Sequence, residues 1–342
     1  MTFIEKRTAY KAINDRRILF VHPSYNRSFG SFYNIYQFFP GARGLMSPLG
    51  ILIVANYLPQ RWIIRIVDEN VRTLTDADLD WADVLFISGM HIQKPNILRI
   101  QQRAHGRGKM TVLGGCSVSA APEDYPDMDV IHCGELGDAT DELIELVDKT
   151  PVGSYPKNQI RLNTLERIPL ADFPCPAYHL IDMSSYLVTP MQFSSGCPYT
   201  CEFCDIPALY GRNARLKPIE KIIHELDVIK QRGHVGTIYF VDDNFIANQK
   251  AAKELLPALA QWQKENNYPF DFGMEATINL AKRTDILEAM KEAYVTDCYF
   301  GIESPEENTL KDIEKKQNLG MPLVDALNKV RSYGIEALAG VI

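Results

Sequence analysis

The chain has 342 residues, 46% of them hydrophobic and 23% charged, with a formal net charge of −7. That length has room for two domains, and the acidic balance excludes the broad basic field on which nucleic-acid binding depends. The charged start Met1-Thr-Phe-Ile-Glu-Lys-Arg7 lacks the apolar centre of a secretory leader, and no apolar run reaches membrane-spanning length, so cytoplasmic residence is expected.

The first part alternates strands and helices. Arg17-Ile-Leu-Phe-Val-His22 is an apolar run ended by Pro23. An aromatic-rich insertion, Ser24 to Gly44, follows and carries Tyr25, Tyr33 and Tyr36; loop packing is its plain reading, cover for a cofactor face or an apolar substrate the sharper one. Pro48 to Leu58 reads as a buried helix with proline at its first turn. Strands are expected at Trp62–Asp68, Val84–Ser88, Met110–Gly115 and Val130–Gly134, with a helix over Ile97–His105. Strands separated by helices imply a parallel, doubly wound α/β sheet over residues 1–150. Ligands on such sheets bind beyond the carboxyl ends of the strands. Those ends carry Ser88-Gly89, Gly114-Gly115 and Gly134-Glu135, small residues that leave a flat, open rim.

Residues 151–188 read as a linker, rich in proline (Pro151, Pro156, Pro169, Pro174, Pro176) and without sustained periodicity. From 189 onward the alternation resumes. Strands are expected at Pro190–Ser194, Thr237–Val241, Phe270–Ala276, Asp297–Glu303 and from Ile335. Helices are expected over Pro218–Arg232, Gln249–Asn266, Thr284–Glu292 and Val324–Tyr333. This is the pattern of a partial (β/α) barrel, whose chemistry lies on the loops after the strands.

The first of those loops is Ser195-Gly-Cys-Pro-Tyr-Thr-Cys-Glu-Phe-Cys204. Thiols at Cys197, Cys201 and Cys204, spaced C-x3-C-x2-C, can hold three corners of a cubane iron–sulfur cluster and leave the fourth iron open. Gly196 permits a close backbone approach and Pro198 stiffens the loop. The bland alternatives are a buried, reduced group of cysteines or a zinc knuckle, and zinc would want a fourth ligand; on spacing alone Cys175 and His179 stay open for that place. Of the seven cysteines, Cys116, Cys133, Cys175 and Cys298 are scattered, as in a reducing compartment.

The whole loop, with Phe203 before its last cysteine, resembles the signature of the radical S-adenosylmethionine (SAM) superfamily. The resemblance implies a [4Fe–4S] cluster on Cys197, Cys201 and Cys204, with SAM on the open iron. There SAM is cleaved by one electron to a 5′-deoxyadenosyl radical. It also implies an external electron donor such as flavodoxin or ferredoxin. Asp242, Asp243 and Asn244 stand where relatives receive the SAM ammonium group; Glu303 and Ser304 stand where relatives contact the ribose. Gly340 matches a position that admits the adenine, and Phe203 adds backbone contact. For Asp242–Asn244 the plain reading is a solvated turn or a cap, and for Arg212 and Arg215 a solvated face. The superfamily core has six strands, so the chain is expected to be the N-terminal piece of a longer protein.

The glycine rim upstream resembles the cobalamin-binding domain fused to many radical SAM enzymes, which implies that Ser88, Gly114, Gly115, Gly134 and Glu135 face the corrin and its nucleotide tail. The D-x-H-x-x-G loop of that family is absent; His22 has no aspartate two residues before it and reads as a strand-end histidine. Together these features imply a cobalamin-dependent radical SAM methyltransferase. Ile87-Ser-Gly-Met-His-Ile-Gln93 and Gly134-Glu-Leu-Gly-Asp-Ala-Thr140 resemble the hopanoid C-2 methylase branch. That branch implies a polycyclic lipid or other small-molecule substrate and peripheral membrane contact. Three alternatives stand beside it: ring closure or rearrangement without methyl transfer, a non-catalytic Fe–S or cobalamin-binding protein, and a methylthiotransferase. The last is disfavoured because the first part holds only Cys116 and Cys133.

Overall fold

In the computed structural model, residues 12–26, 38–39, 41–234 and 236–341 are described, and the chain falls into two units, Met1–Leu187 and Val188–Ile342. Tyr33 and Tyr36 of the aromatic insertion lie outside the described residues.

In the first unit, strands β1 (Arg17–His22), β2 (Ile63–Asp68), β3 (Val84–Ser88), β4 (Met110–Gly114), β5 (Val130–Cys133) and β6 (Ile160–Asn163) form one sheet in the order β2-β1-β3-β4-β5-β6. Every pair is parallel. The apolar runs are continuous because both faces are covered. Ile18 and Phe20, with Phe86 and Val112, face the core under α1 (Leu49–Tyr57) and α5 (Asp138–Lys149). Leu19 and Val21, with Leu85, Ile87 and Leu113, face the other core with α3 (Lys94–His105) and α4 (Cys116–Ala120). Pro48 caps α1 from outside its first turn. The short α2 (Asp76–Trp81) begins in a capping box between Thr75 and Asp78.

The sixth strand lies in the segment expected to be a linker. Ile160–Asn163 pairs with Val130–Cys133 on one side only, and its residues alternate half-buried and exposed. A four-residue edge strand carries no apolar run, so nothing in its composition separates it from the proline-rich sequence around it.

In the second unit, strands β7 (Tyr186–Met191), β8 (Gly236–Phe240), β9 (Phe270–Ala276), β10 (Val295–Glu303) and β11 (Glu336–Val341) lie side by side in chain order, all parallel. Helices α6 (Ile219–Gln231), α7 (Gln249–Glu265), α8 (Thr284–Glu292) and α10 (Leu323–Arg331) connect them, with α9 (Glu307–Asp312) following β10. This sequential parallel order, with helices between the strands, is that of a curled half-barrel. The expected first strand is displaced: it begins at Tyr186, and Ser194–Ser195 belongs instead to a small antiparallel ribbon with Arg215–Leu216. In β9, Phe270, Phe272, Met274 and Ala276 are buried, while Asp271 and Glu275 are half-buried on the opposite side. Because the strands are parallel, the loops after β7, β8, β9, β10 and β11 emerge at one end of the sheet. Among the described residues no helix is long and apolar enough to cross a membrane.

Candidate cluster and cofactor site

The cysteine loop leaves β7 through Gly196, whose φ of +100° is open to glycine alone among ordinary residues. Here the chain also runs close to its own return: a β-carbon would lie 2.8 Å from the Gly211 carbonyl oxygen and 3.1 Å from that of Asn213. The neighbouring Cys197 amide donates to the Gly211 carbonyl (3.1 Å), and the Cys204 amide donates to the Cys201 carbonyl (3.1 Å). The loop is therefore held by backbone at both ends. Burial is the main force raising the Cys197 and Cys204 thiols, and the charges of the other thiols in the trio and of Asp243 add to it. The three sulfurs are thus close enough to feel one another. No three His, Cys, Asp or Glu side chains converge on the position of a single metal ion among the described residues. A cubane asks each thiolate to bind a different iron, so three thiols on one loop can serve it without meeting at a single metal position. Cys175 and His179, open as fourth ligands on spacing, belong to the first unit.

The three polar residues after β8 have different surroundings. Asp242 is buried, and its carboxylate accepts the backbone amides of Phe193 (3.3 Å) and Ser194. Asp243 accepts the Gly196 amide at 2.7 Å and so ties this loop to the cysteine loop. Asn244 is buried; its carbonyl oxygen accepts the Thr277 amide (3.3 Å), and its side-chain amide donates to the Thr277 hydroxyl (3.4 Å). From Thr277 the polar chain continues through Asn279 to the hydroxyl of Tyr199 inside the cysteine loop, with links of 2.7 Å and 2.7 Å.

Glu303 ends β10 with φ at +62°, beside a register shift against β11. It forms a largely buried ion pair with Lys315. Lys315 in turn lies over the half-exposed Phe203 ring, 5.5 Å from its centre. Ser304 turns its hydroxyl to the Glu306 amide (3.1 Å). Gly340 is packed tightly: a β-carbon there would lie 2.1 Å from the Tyr299 hydroxyl. Arg215 donates to the Ser195 hydroxyl (2.9 Å), which makes it part of the loop, whereas Arg212 is exposed.

Two groups at this end escaped the sequence reading. Glu275, on the polar side of β9, has its carboxyl pushed up to about 7, first by burial and then by the charges of Asp243 and Asp242. Burial likewise pushes Asp242 up to about 7 against its hydrogen bonds. The signal for Glu275 was the alternation of β9, which sets Asp271 and Glu275 on the side opposite its buried Phe270, Phe272, Met274 and Ala276. The other group, Gln317, lies 116 residues from Cys201 and donates to its sulfur at 3.1 Å.

The raised Glu275 pKa has a consequence for stability. Between about pH 4.5 and 7 the folded protein keeps a proton that the unfolded chain has released, so this group's contribution is full below about 4.5 and is lost as pH rises to 7. The whole shift is worth about 3 kcal/mol. Urea unfolding of Glu275→Gln across that range is expected to show a flatter dependence than the wild type. Parallel curves would count against the assignment.

In the first unit, β3, β4 and β5 are adjacent, so Ser88, Gly114, Gly115, Gly134 and Glu135 line one rim. Gly115 has φ +102°, and a β-carbon there would meet the Ser88 hydroxyl at 2.7 Å; at Gly114 the nearest atom, the His132 carbonyl oxygen, would be 3.9 Å away, an ordinary contact. Gly134, with φ +107°, donates its amide to Ser119 (2.9 Å), and Glu135 pairs with Arg167 (3.2 Å). Next to this rim, Met90 and Ile92 are exposed and Tyr25 is partly so. A glycine surface edged with apolar groups suits a large flat ring. His22 is buried with both ring nitrogens engaged. Nδ1 donates to the Ser88 carbonyl (3.0 Å), which leaves Nε2 to accept the Gln93 amide (3.4 Å). It is a strand-end histidine, as expected.

Residues 191–342 match the Radical SAM superfamily model. The chain is 49% identical over 327 residues to the hopanoid C-2 methylase of Rhodopseudomonas palustris (strain TIE-1), covering 96% of this chain and 62% of that protein. It is 34% identical over 330 residues to an uncharacterized methyltransferase of Synechocystis sp., covering 95% and 60%. The chain thus spans about three fifths of these curated relatives. Its fold is similar to that of the cobalamin-dependent SAM radical enzyme OxsB, with TM-score 0.72 at 19% identity over 96% of this chain and 49% of that one. The radical SAM methyltransferase TsrM from Kitasatospora setae gives TM-score 0.67 at 12% identity, over 96% and 69%.

Proposed function

We propose, for a chain whose residues 191–342 belong to the radical SAM superfamily, that it takes part in a cobalamin-dependent methylation of an unactivated carbon, with a hopanoid-type polycyclic lipid as substrate. The observation that carries the reading is the Gly196-anchored loop presenting Cys197, Cys201 and Cys204 at the carboxyl end of a parallel half-barrel. The 49% identity to a hopanoid C-2 methylase supports the substrate class. The chemistry supplied by the bound groups is one-electron cleavage of SAM at a [4Fe–4S] cluster and methyl carriage by cobalamin.

The chain's own part is binding, orientation and exclusion of water. Cys197, Cys201 and Cys204 hold the cluster irons. Asp243 offers a carboxylate to the SAM ammonium group beside the loop, while Asp242 and Asn244 fix the backbone around it. Glu303 and Ser304 accept from the ribose hydroxyls, and Gly340 and the Phe203 backbone border the adenine. Ser88, Gly114, Gly115, Gly134 and Glu135 support the corrin from the rim of the first sheet. The electron comes from an external donor of flavodoxin or ferredoxin type, and a lipid substrate implies contact with a membrane surface.

The test is anaerobic reconstitution with iron, sulfide and hydroxocobalamin, followed by incubation with methyl-labelled SAM, a strong reductant and a hopene. 5′-Deoxyadenosine together with label on the hopene is the expected result. 5′-Deoxyadenosine with no labelled product would favour radical chemistry without methyl transfer. A protein that binds iron and corrin yet yields no 5′-deoxyadenosine would overturn the enzyme reading.

A further inference from the structure

We propose that Gln317 sets the reduction potential of the cluster by donating its side-chain amide to the Cys201 sulfur; this rests on the reading of Cys197, Cys201 and Cys204 as cluster ligands. Gln317 is 9% exposed, and its Nε2 lies 3.1 Å from Cys201 Sγ. A thiolate only accepts, so the amide nitrogen is the atom that must face it.

The contact is held in place by the segment that carries it. Asn318, the next residue, donates to the carbonyls of Gly301 (3.0 Å) and Ile302 (3.2 Å) on β10. The Glu202 amide in the cysteine loop donates to the Ile313 carbonyl (3.1 Å). Lys315, two residues before Gln317, pairs with Glu303 and covers Phe203. One short stretch after β10 therefore grips the cysteine loop at its backbone, its aromatic ring and one of its sulfurs.

The electronic consequence follows from charge. In the one-electron step the cluster gains an electron from a low-potential external donor, the donor loses it, and no proton moves. The added negative charge is shared with the thiolate sulfurs. A neutral N–H donor at Cys201 therefore stabilises the reduced state more than the oxidised one, and raises the potential. This makes the electron easier to load. Burial of the amide keeps water from replacing it.

The experiment is an anaerobic dithionite titration of the reconstituted protein followed by electron paramagnetic resonance. In Gln317→Leu the ratio of reduced to oxidised cluster at a fixed poise is expected to fall by about tenfold, equivalent to about 59 mV in midpoint for a one-electron couple. Gln317→Glu keeps the shape but puts an acceptor at the sulfur, and its midpoint is expected to fall at least as far. Midpoints equal to the wild type in both variants would overturn the proposal. If neither variant assembles a cluster, the wild type decides: with glutamine side chains labelled by nitrogen-15, pulsed resonance must show one coupled nitrogen, and its absence overturns the proposal. Iron and sulfide content, measured first, separates this from the family reading. A wild type that takes up no cluster removes both, while a loaded wild type with unshifted variants removes this inference alone.

Discussion

Gly196→Ala is expected to abolish cluster assembly while leaving most of the fold in place. Two costs coincide at this position. The backbone sits at φ +100°, where a side chain is strained. The new β-carbon would also press on the Gly211 oxygen at 2.8 Å, with those of Asn213 and Tyr210 at 3.1 and 3.3 Å. These are backbone atoms and cannot rotate aside as a side-chain tip would. Relief has to come from the loop itself, by opening the Cys197 amide to Gly211 carbonyl bond or the Asp243 contact to the Gly196 amide. Either movement displaces Cys197 relative to Cys201 and Cys204. The combined penalty is about 2–4 kcal/mol, too small to unfold a unit of this size but large for a loop of ten residues. Iron and sulfide per chain after reconstitution should fall to the level of Cys201→Ser, with the far-ultraviolet circular dichroism unchanged. Full loading of the alanine variant would show that the close approach is not needed.

The parts of this molecule that were legible in the sequence share a cause: their chemistry is local. These three thiols come from one loop, so C-x3-C-x2-C is visible in ten residues. The rim glycines were legible because small residues at the ends of successive strands become neighbours once the sheet is parallel, and β3, β4 and β5 are adjacent in both chain order and space. What stayed hidden depends on distant partners. Asp242 and Asn244 look like ligand-facing residues in a polar triplet, but the fold gives them the amides of Phe193, Ser194 and Thr277. Gln317 is an unremarked residue in a polar turn until β10 and its following helix bring it to Cys201. Ile160–Asn163 is a strand only because β5 offers it a free edge.

Lys217→Met is expected to destabilise the protein by about 3–5 kcal/mol, and the double variant Lys217→Met/Glu225→Leu to recover most of that loss. Lys217 follows the small ribbon beneath the cysteine loop, and its amide donates to the Phe193 carbonyl (2.7 Å). Its ammonium lies 2.8 Å from Glu225 on α6, with the two side chains 0% and 2% exposed. Burial pushes the Glu225 carboxyl up, against the pull of Lys217, and its second oxygen has no hydrogen-bond partner. Without the lysine, only uptake of a proton can relieve the buried carboxylate, so the penalty in the single variant should grow as pH rises. In the double variant neither charge remains, and two apolar side chains of similar volume fill the space. The same cation also helps to hold Asp242 lower, so its removal should favour the protonated form of that carboxyl and loosen its grip on the Phe193 and Ser194 amides. Urea unfolding of the two variants at about pH 6 and about pH 8 separates these effects. A single variant as stable as the wild type at both values, or a double variant no better than the single, would mean that the pair does not support the base of the cluster loop.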